Sequence, residues 1–138
     1  MKKQLFISTS NSDYSIIKQL VIQTSLLKKV DFLILFKLSK DEISQLNKYN
    51  INLHIYDQKL TNKYNDPNQI RLEISRLTNF YSRFIVEKKY DQIIVLGDRY
   101  ELLPIVQISY LFKKIIIHLH GGEITEGSWD DSIRHSIS

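Results

Sequence analysis

One kind of junction occurs three times along the chain: a helical pattern, then a lysine pair, then a β-rich apolar segment. The three examples are Leu27-Lys28-Lys29-Val30-Asp31-Phe32-Leu33-Ile34, Lys88-Lys89-Tyr90-Asp91-Gln92-Ile93-Ile94-Val95 and Phe112-Lys113-Lys114-Ile115-Ile116-Ile117. Such a recurrence reads as helix feeding strand, with the lysines complementing the negative end of each helix dipole. Strands are expected over Gln4 to Ser8, Phe32 to Phe36, Ile51 to Tyr56, Gln92 to Leu96 and Ile115 to His120. Several of these are near-continuous apolar runs, the pattern of strands buried on both faces.

Helical patterns lie between them. The first places Ile16, Leu20, Thr24 and Leu27 on one stripe, with Ile17 and Val21 beside it. Ser39 and Glu42 have the spacing of a capping box at the start of the second. The third starts at Asp66-Pro67, an N-cap residue followed by proline in the first turn, and carries Ile70, Ile74, Leu77, Tyr81 and Phe84 to about Lys88. A fourth follows Asp98-Arg99, with Leu103, Val106 and Tyr110 on one side. Strands alternating with helices predict an α/β domain: a Rossmann-like parallel sheet with helices on both faces.

A length of 138 residues fits one such domain, and 43% apolar with 25% charged residues is the composition of an ordinary globular protein. No stretch approaches the roughly 18 apolar residues of a membrane span, and the start is too weakly apolar for a secretory signal, so a cytoplasmic location is expected. The absence of cysteine excludes disulfides and thiolate metal sites. A net charge of +4 invites a nucleic-acid partner, but the lysine pairs at helix ends account for it, and none is expected. The chain closes inside a new helical pattern, with Ile133 and Ile137 on one face and no stop signal beyond. The expectation is therefore a domain over residues 1–138 cut within its last helix, followed by a further domain in the natural polypeptide.

All four glycines, Gly97, Gly121, Gly122 and Gly127, follow expected strands in the last third of the chain. Ligands of a parallel sheet bind outside the carboxyl ends of its strands, so the glycines point to that edge. Beyond the fourth strand, Asp98 is placed to act as a base or hydrogen-bond acceptor, or else caps the next helix. Beyond the fifth comes His118-Leu119-His120-Gly121-Gly122-Glu123. Two histidines and a glutamate invite a metal, but no third strong ligand stands nearby, and no metal is expected. Gly121-Gly122 marks a turn or a close approach to a ligand. In Ser128-Trp129-Asp130-Asp131-Ser132-Ile133-Arg134-His135 the spacing is that of a helix start, with Asp130 and Arg134 four apart. Asp98, Glu123 and this helix together bring carboxylates and a cation to one site. At the first strand, Ser8-Thr9-Ser10-Asn11-Ser12-Asp13-Tyr14 leads into a helix whose free backbone N–H groups suit a phosphate.

The segments Val95-Leu96-Gly97-Asp98-Arg99-Tyr100-Glu101, His118 to Gly127 and Asp130-Asp131-Ser132-Ile133-Arg134-His135 resemble the hydrolysing UDP-N-acetylglucosamine 2-epimerases of sialic- and legionaminic-acid pathways. Relatives acting on UDP-bacillosamine derivatives share these motifs. The resemblance implies the N-terminal half of a GT-B-like two-domain fold, with a UDP-sugar held between the halves. It implies conversion of UDP-N-acetylglucosamine to N-acetylmannosamine and UDP, by elimination of UDP and then hydration, without a cofactor. It assigns acid-base roles to Asp98, Glu123 and Asp130 or Asp131, and substrate contacts to Asn11, Asp13, Arg99, His120, Gly121, Gly122, Arg134 and His135. Family members commonly dimerise through this domain. The family's first loop reads Gly-Thr-Arg-x-Asp-Tyr-Gly. Here Asp13 and Tyr14 match, while Asn11 stands at the arginine's place, removing a cation from the leaving group. The expectation is an epimerase half that is inactive alone. A degenerate domain that only binds a sugar nucleotide or a partner protein is the alternative.

Overall fold

The computed structural model describes residues 3–56, 66–96 and 100–119. In chain order they form β1 (Gln4–Ser8), α1 (Asn11–Ser25), β2 (Val30–Ile34), α2 (Lys40–Leu46), β3 (Ile51–Ile55), α3 (Pro67–Glu87), β4 (Gln92–Leu96), α4 (Leu102–Leu111) and β5 (Ile115–Leu119). The strands make one parallel sheet in the order β3-β2-β1-β4-β5. The pleat divides each apolar run between two layers. Leu5, Ile7, Leu33, Ile93 and Val95 pack with Leu77, Tyr81, Ile105 and Val106 of α3 and α4. Phe6, Phe32, Ile34, Ile94 and Leu96 face the other way, against Ile17 and Val21 of α1 and Leu46 of α2. Helices on both faces are what continuous apolar strands require, and the expected Rossmann-like architecture is the observed one.

Local signals hold at the helix starts. Asp66 caps α3, its Oδ1 accepting from the Asn68 N–H at 3.0 Å, and Pro67 stands in the first turn, where its missing N–H costs nothing. Ser39 caps α2 by accepting from the Glu42 N–H at 3.2 Å. Only this half of the expected capping box forms, because the Glu42 carboxylate is engaged by Tyr14 and Lys18 of α1. The lysine pairs stand just beyond the last helical turns. At the third, Lys113 adopts a left-handed φ of 58°. Its N–H reaches the Tyr110 carbonyl and that of Lys114 reaches Ser109, a Schellman closure with lysine where glycine is usual.

Four expectations need correction. Strand β2 spans Val30–Ile34, not Phe32 to Phe36, because its register pairs Asp31 with Leu5 and Ile34 with Ser8. The buried stripe of α1 is Ile17, Val21 and Ser25, while Ile16 (51%) and Leu27 (87%) are exposed. The aromatic floor of Phe6, Phe32 and Phe36 selects the neighbouring stripe. Helix α4 buries Leu102, Ile105, Val106 and Ser109 and leaves Leu103 and Tyr110 outside. It is apolar on nearly every side, so periodicity does not set its phase. Strand β5 is an edge among the described residues. Ile116 packs against the layer of α3 and α4 and Leu119 against that of α1 and α2, but Ile115 and Ile117 stay exposed.

The amino edge of the sheet is pinned by a buried carboxylate. Asp31 on β2 accepts a hydrogen bond from the Tyr90 hydroxyl just before β4. It also lies 3.2 Å from His54 Nε2 and 3.4 Å from Asn52 Nδ2 on β3. Burial, and then Asp31 itself, push the Tyr90 hydroxyl well above the ordinary phenol range, so it remains a donor. The cluster ties β3 and β2 to the segment entering β4, with β1 enclosed between. Replacing Tyr90 with Phe leaves a buried carboxylate short of a donor and should lower unfolding free energy by about 1–3 kcal/mol. Urea unfolding of the two proteins checks this; equal midpoints would show that the hydroxyl contributes nothing.

Candidate functional site

Winding around β1 reverses direction. The chain runs β1, β2, β3 to one side and then returns to β4 and β5 on the other. Helices leaving β1 and β4 therefore lie on opposite faces, and the crevice between the carboxyl ends of those strands is where a parallel sheet receives ligands. The register is even across it. Ser8 pairs with Leu96, and Leu96 pairs with Leu119. With strand spacing of about 4.8 Å, the carboxyl ends of β1, β4 and β5 lie side by side within about 10 Å.

The β1 side of the crevice is polar and closed to solvent. Ser8, Thr9 and Ser10 are all buried. Ser10 Oγ lies 2.9 Å from Ser12 Oγ and 3.3 Å from Asp13 Oδ2, and Ser8 Oγ donates to the Ser10 carbonyl at 3.4 Å. Ser10 is the N-cap of α1 but makes no side-chain cap bond, so the first N–H groups of a 15-residue helix are not closed off by it. Thr9 Oγ1 is buried with no hydrogen-bond partner among the described residues. Uncapped amides at a helix start suit an anion, while the Asp13 carboxylate offers an acceptor to a hydroxyl group. Asn11 opens α1 and is exposed.

A cluster behind α1 holds this start in place. The Tyr14 ring stacks on Phe32 with centroids 6.2 Å apart and meets Phe36 edge-on at 5.7 Å. Its hydroxyl donates to Glu42 Oε2 at 2.7 Å, and Lys18 Nζ reaches the same oxygen at 2.8 Å. Burial first, and then Glu42, raise the Tyr14 hydroxyl far above its ordinary range. The bonds from Lys18 and Tyr14 hold the Glu42 carboxyl below its own.

On the β4 side, Tyr100 and Glu101 lead into α4, and Glu101 is 1% exposed. The Tyr100 hydroxyl donates to Glu73 on α3. His118 on β5 shares a register position with Val95, and so a face of the sheet, and is half-buried. The described residues contain no group of three His, Cys, Asp or Glu side chains able to hold a metal ion. A separate groove of about 450 Å³ runs along α3 between Tyr56, Phe80, Arg76, Arg83 and Glu87. It lies beside β3, two strands away from β1.

Of the residues singled out from the sequence, Asn11 and Asp13 stand in the first turn of α1, at the crevice. Asp98, Arg99, His120, Gly121, Gly122, Glu123, Asp130, Asp131, Arg134 and His135 lie outside the described residues. The strand ends that precede the first five of the chain's later candidates, Leu96 and Leu119, are neighbours in the sheet. Sequence reasoning gave no role to Glu73, read Glu42 only as part of a capping box, and named Thr9 and Tyr100 only within longer motifs. Glu73 carried a usable signal, since it is four residues before Leu77 and eight before Tyr81 on the buried stripe of α3. The link of Glu42 to Tyr14 and Lys18 carried none, because it joins residues distant in the chain.

The family profile described as UDP-N-acetylglucosamine 2-epimerase matches residues 37–138. Across its whole length the chain is 31% identical to the polysialic acid biosynthesis protein P7 of Escherichia coli, covering 37% of that protein. Over 58 residues, 42% of this chain and 15% of the relative, it is 47% identical to the hydrolyzing GDP/UDP-N,N'-diacetylbacillosamine 2-epimerase of Campylobacter jejuni. Among solved structures, that of UDP-GlcNAc 2-epimerase from Neisseria meningitidis bound to UDP-GlcNAc superposes with a TM-score of 0.65 at 13% identity. The match covers 98% of this chain and 38% of that one, a likeness of fold. The chain thus spans well under half the length of each of these relatives.

The Glu42 cluster makes the α1 start sensitive to acid. A carboxyl whose folded pKa is depressed contributes stability above its ordinary value of 4.5, and that contribution is lost as pH falls through the folded value. Exchanging Glu42 for Gln should therefore cost stability at pH 7, by less than about 1 kcal/mol because the pair is partly exposed. The difference should shrink as pH falls below 4.5. Denaturant midpoints at pH 7 and pH 3 measure it, and a constant difference between them would contradict it.

Proposed function

Because the chain belongs to the UDP-N-acetylglucosamine 2-epimerase family, we propose that it supplies the N-terminal half of the site of a hydrolysing epimerase. The reaction is conversion of UDP-N-acetylglucosamine and water to N-acetylmannosamine and UDP. The observation that carries the reading is the shared register of Ser8, Leu96 and Leu119, the strand ends that the three candidate motifs follow in the sequence. The names of the Campylobacter and Escherichia relatives, one hydrolyzing and one of polysialic acid biosynthesis, favour the hydrolytic branch. They leave UDP-bacillosamine derivatives as related substrates.

In this proposal the uncapped start of α1 receives the diphosphate, where backbone N–H groups replace part of the missing loop arginine. Asp13 accepts from a hydroxyl of the ligand. A carboxylate among Asp98, Glu123, Asp130 and Asp131 takes the weakly acidic proton from C2 of the sugar. The electron pair of that C–H bond forms the C1–C2 double bond as the C1–O bond breaks, and UDP leaves with the bonding pair. Water then adds across the double bond, its oxygen to C1 and a proton to C2 from the opposite face. Arg99 and Arg134 balance the departing charge, and His120, His135 and the Gly121-Gly122 turn contact the substrate. These steps need neither metal nor redox cofactor. The reading includes a cytoplasmic setting, a homodimer, and dependence on a C-terminal domain for the remaining nucleotide contacts.

The test is release of UDP from UDP-N-acetylglucosamine. The 138-residue chain alone should release almost none, and the same chain joined to the C-terminal domain of the Escherichia coli relative should turn over. In the joined protein, Asp98→Asn or Glu123→Gln should lower kcat by about 10²–10⁴ while the circular dichroism stays unchanged. Rapid release by the short chain, or ordinary rates in both variants, would remove the proposal.

A further inference from the structure

We infer that Glu73 is a positioning residue that fixes the entry of α4 at the crevice by holding the Tyr100 hydroxyl. The inference deepens the proposed function, and rests on that reading for its activity arm. Glu73 lies on the core stripe of α3, in line with Leu77 and Tyr81, and is 4% exposed. Burying a carboxyl group is costly, and an apolar residue at that place would serve stability better. The carboxyl group instead accepts from Tyr100, one residue beyond the segment 97–99 and two before α4. Leu96, paired with Ser8 and Leu119, ends β4, and Tyr100, tied to α3, begins the approach to α4.

The two helices carry a second bond of similar design. The buried Tyr81 hydroxyl lies 2.7 Å from Ser109 Oγ near the far end of α4. Each bond joins α3 to the α4 region across a nearly equal stretch of chain, 27 residues for one and 28 for the other. They differ in place. The Glu73 bond sits at the carboxyl edge beside the crevice, and the Tyr81 bond sits away from it. A bond serving only to clamp α4 has the same consequences at either end, whereas one that positions Tyr100 acts at the crevice alone.

The comparison of Tyr100→Phe with Tyr81→Phe separates these roles. In the 138-residue chain, Tyr100→Phe should speed hydrogen exchange at the Leu103 amide, which donates to the Tyr100 carbonyl, by about tenfold or more relative to β1 amides. Tyr81→Phe should leave Leu103 unchanged. In the protein completed with a C-terminal domain, Tyr100→Phe and Glu73→Leu should lower kcat for UDP release by about 10–100-fold with KM little altered. Glu73→Gln, which still offers an oxygen to the hydroxyl, should restore most of it, and Tyr81→Phe should leave kcat unchanged. Equal effects of Tyr100→Phe and Tyr81→Phe on exchange, or kcat unaltered in Tyr100→Phe, would reduce Glu73 to a structural clamp. If the completed wild-type protein released no UDP, the proposed function would fall, while the exchange arm would still decide the role of Glu73.

Discussion

Strand β1 is paired in parallel on both sides, with β2 through Leu5 to Asp31 and with β4 through Leu5 to Ile93. Central placement buries both of its faces, so Leu5, Phe6 and Ile7 are withdrawn from water and their run has to be apolar throughout. The same placement makes the winding reverse at β1, and the reversal opens the crevice between its carboxyl end and that of β4. Polar character begins only where the strand ends, at Ser8, Thr9 and Ser10, and those residues are buried as well. One pairing arrangement therefore produces both the core and the concavity beside it.

Stability and positioning are divided between the two edges of the sheet. At the amino edge the Asp31 cluster locks β2, β3 and the segment entering β4, remote from any candidate chemistry. At the carboxyl edge the anchors sit one layer behind the crevice. Tyr14 and Lys18 meet Glu42 behind the α1 start, and Tyr100 meets Glu73 behind the α4 start. Each anchor joins elements far apart in sequence by charge-assisted or short hydrogen bonds, which fix direction better than apolar contact does. Helix starts held in this way suit a crevice whose ligand has to be met in a defined orientation.

Much of the fold was legible because its signals are local. The apolar runs bounded β1 and β4, Asp66-Pro67 marked the start of α3, and Ser39 that of α2. What escaped was set by packing. In α4, apolar on almost every side, no periodicity distinguishes Leu102 and Ile105 from Leu103 and Tyr110, and only the presence of α3 decides. The α1 stripe was displaced by one residue for a similar reason, the aromatic surface below it. Strand order, on which the crevice depends, has no local signal at all. At the site, Asn11 and Asp13 could be placed from the hydroxyl-rich turn after β1, and the strand ends that launch the later motifs from their glycines. Spacing could place Glu73 on the buried stripe of α3 but not reveal its partner 27 residues away, nor that of Glu42 28 residues away.

Whether the crevice between β1 and β4 is where a nucleotide diphosphate binds can be read from amide chemical shifts of the isotope-labelled chain titrated with UDP. Saturable shifts should concentrate at Thr9 to Asp13, at Leu96 and at Tyr100, with little change along α3. Shifts confined to Tyr56, Arg76 and Phe80 beside β3, or scattered over the surface without saturation, would contradict the assignment of the site.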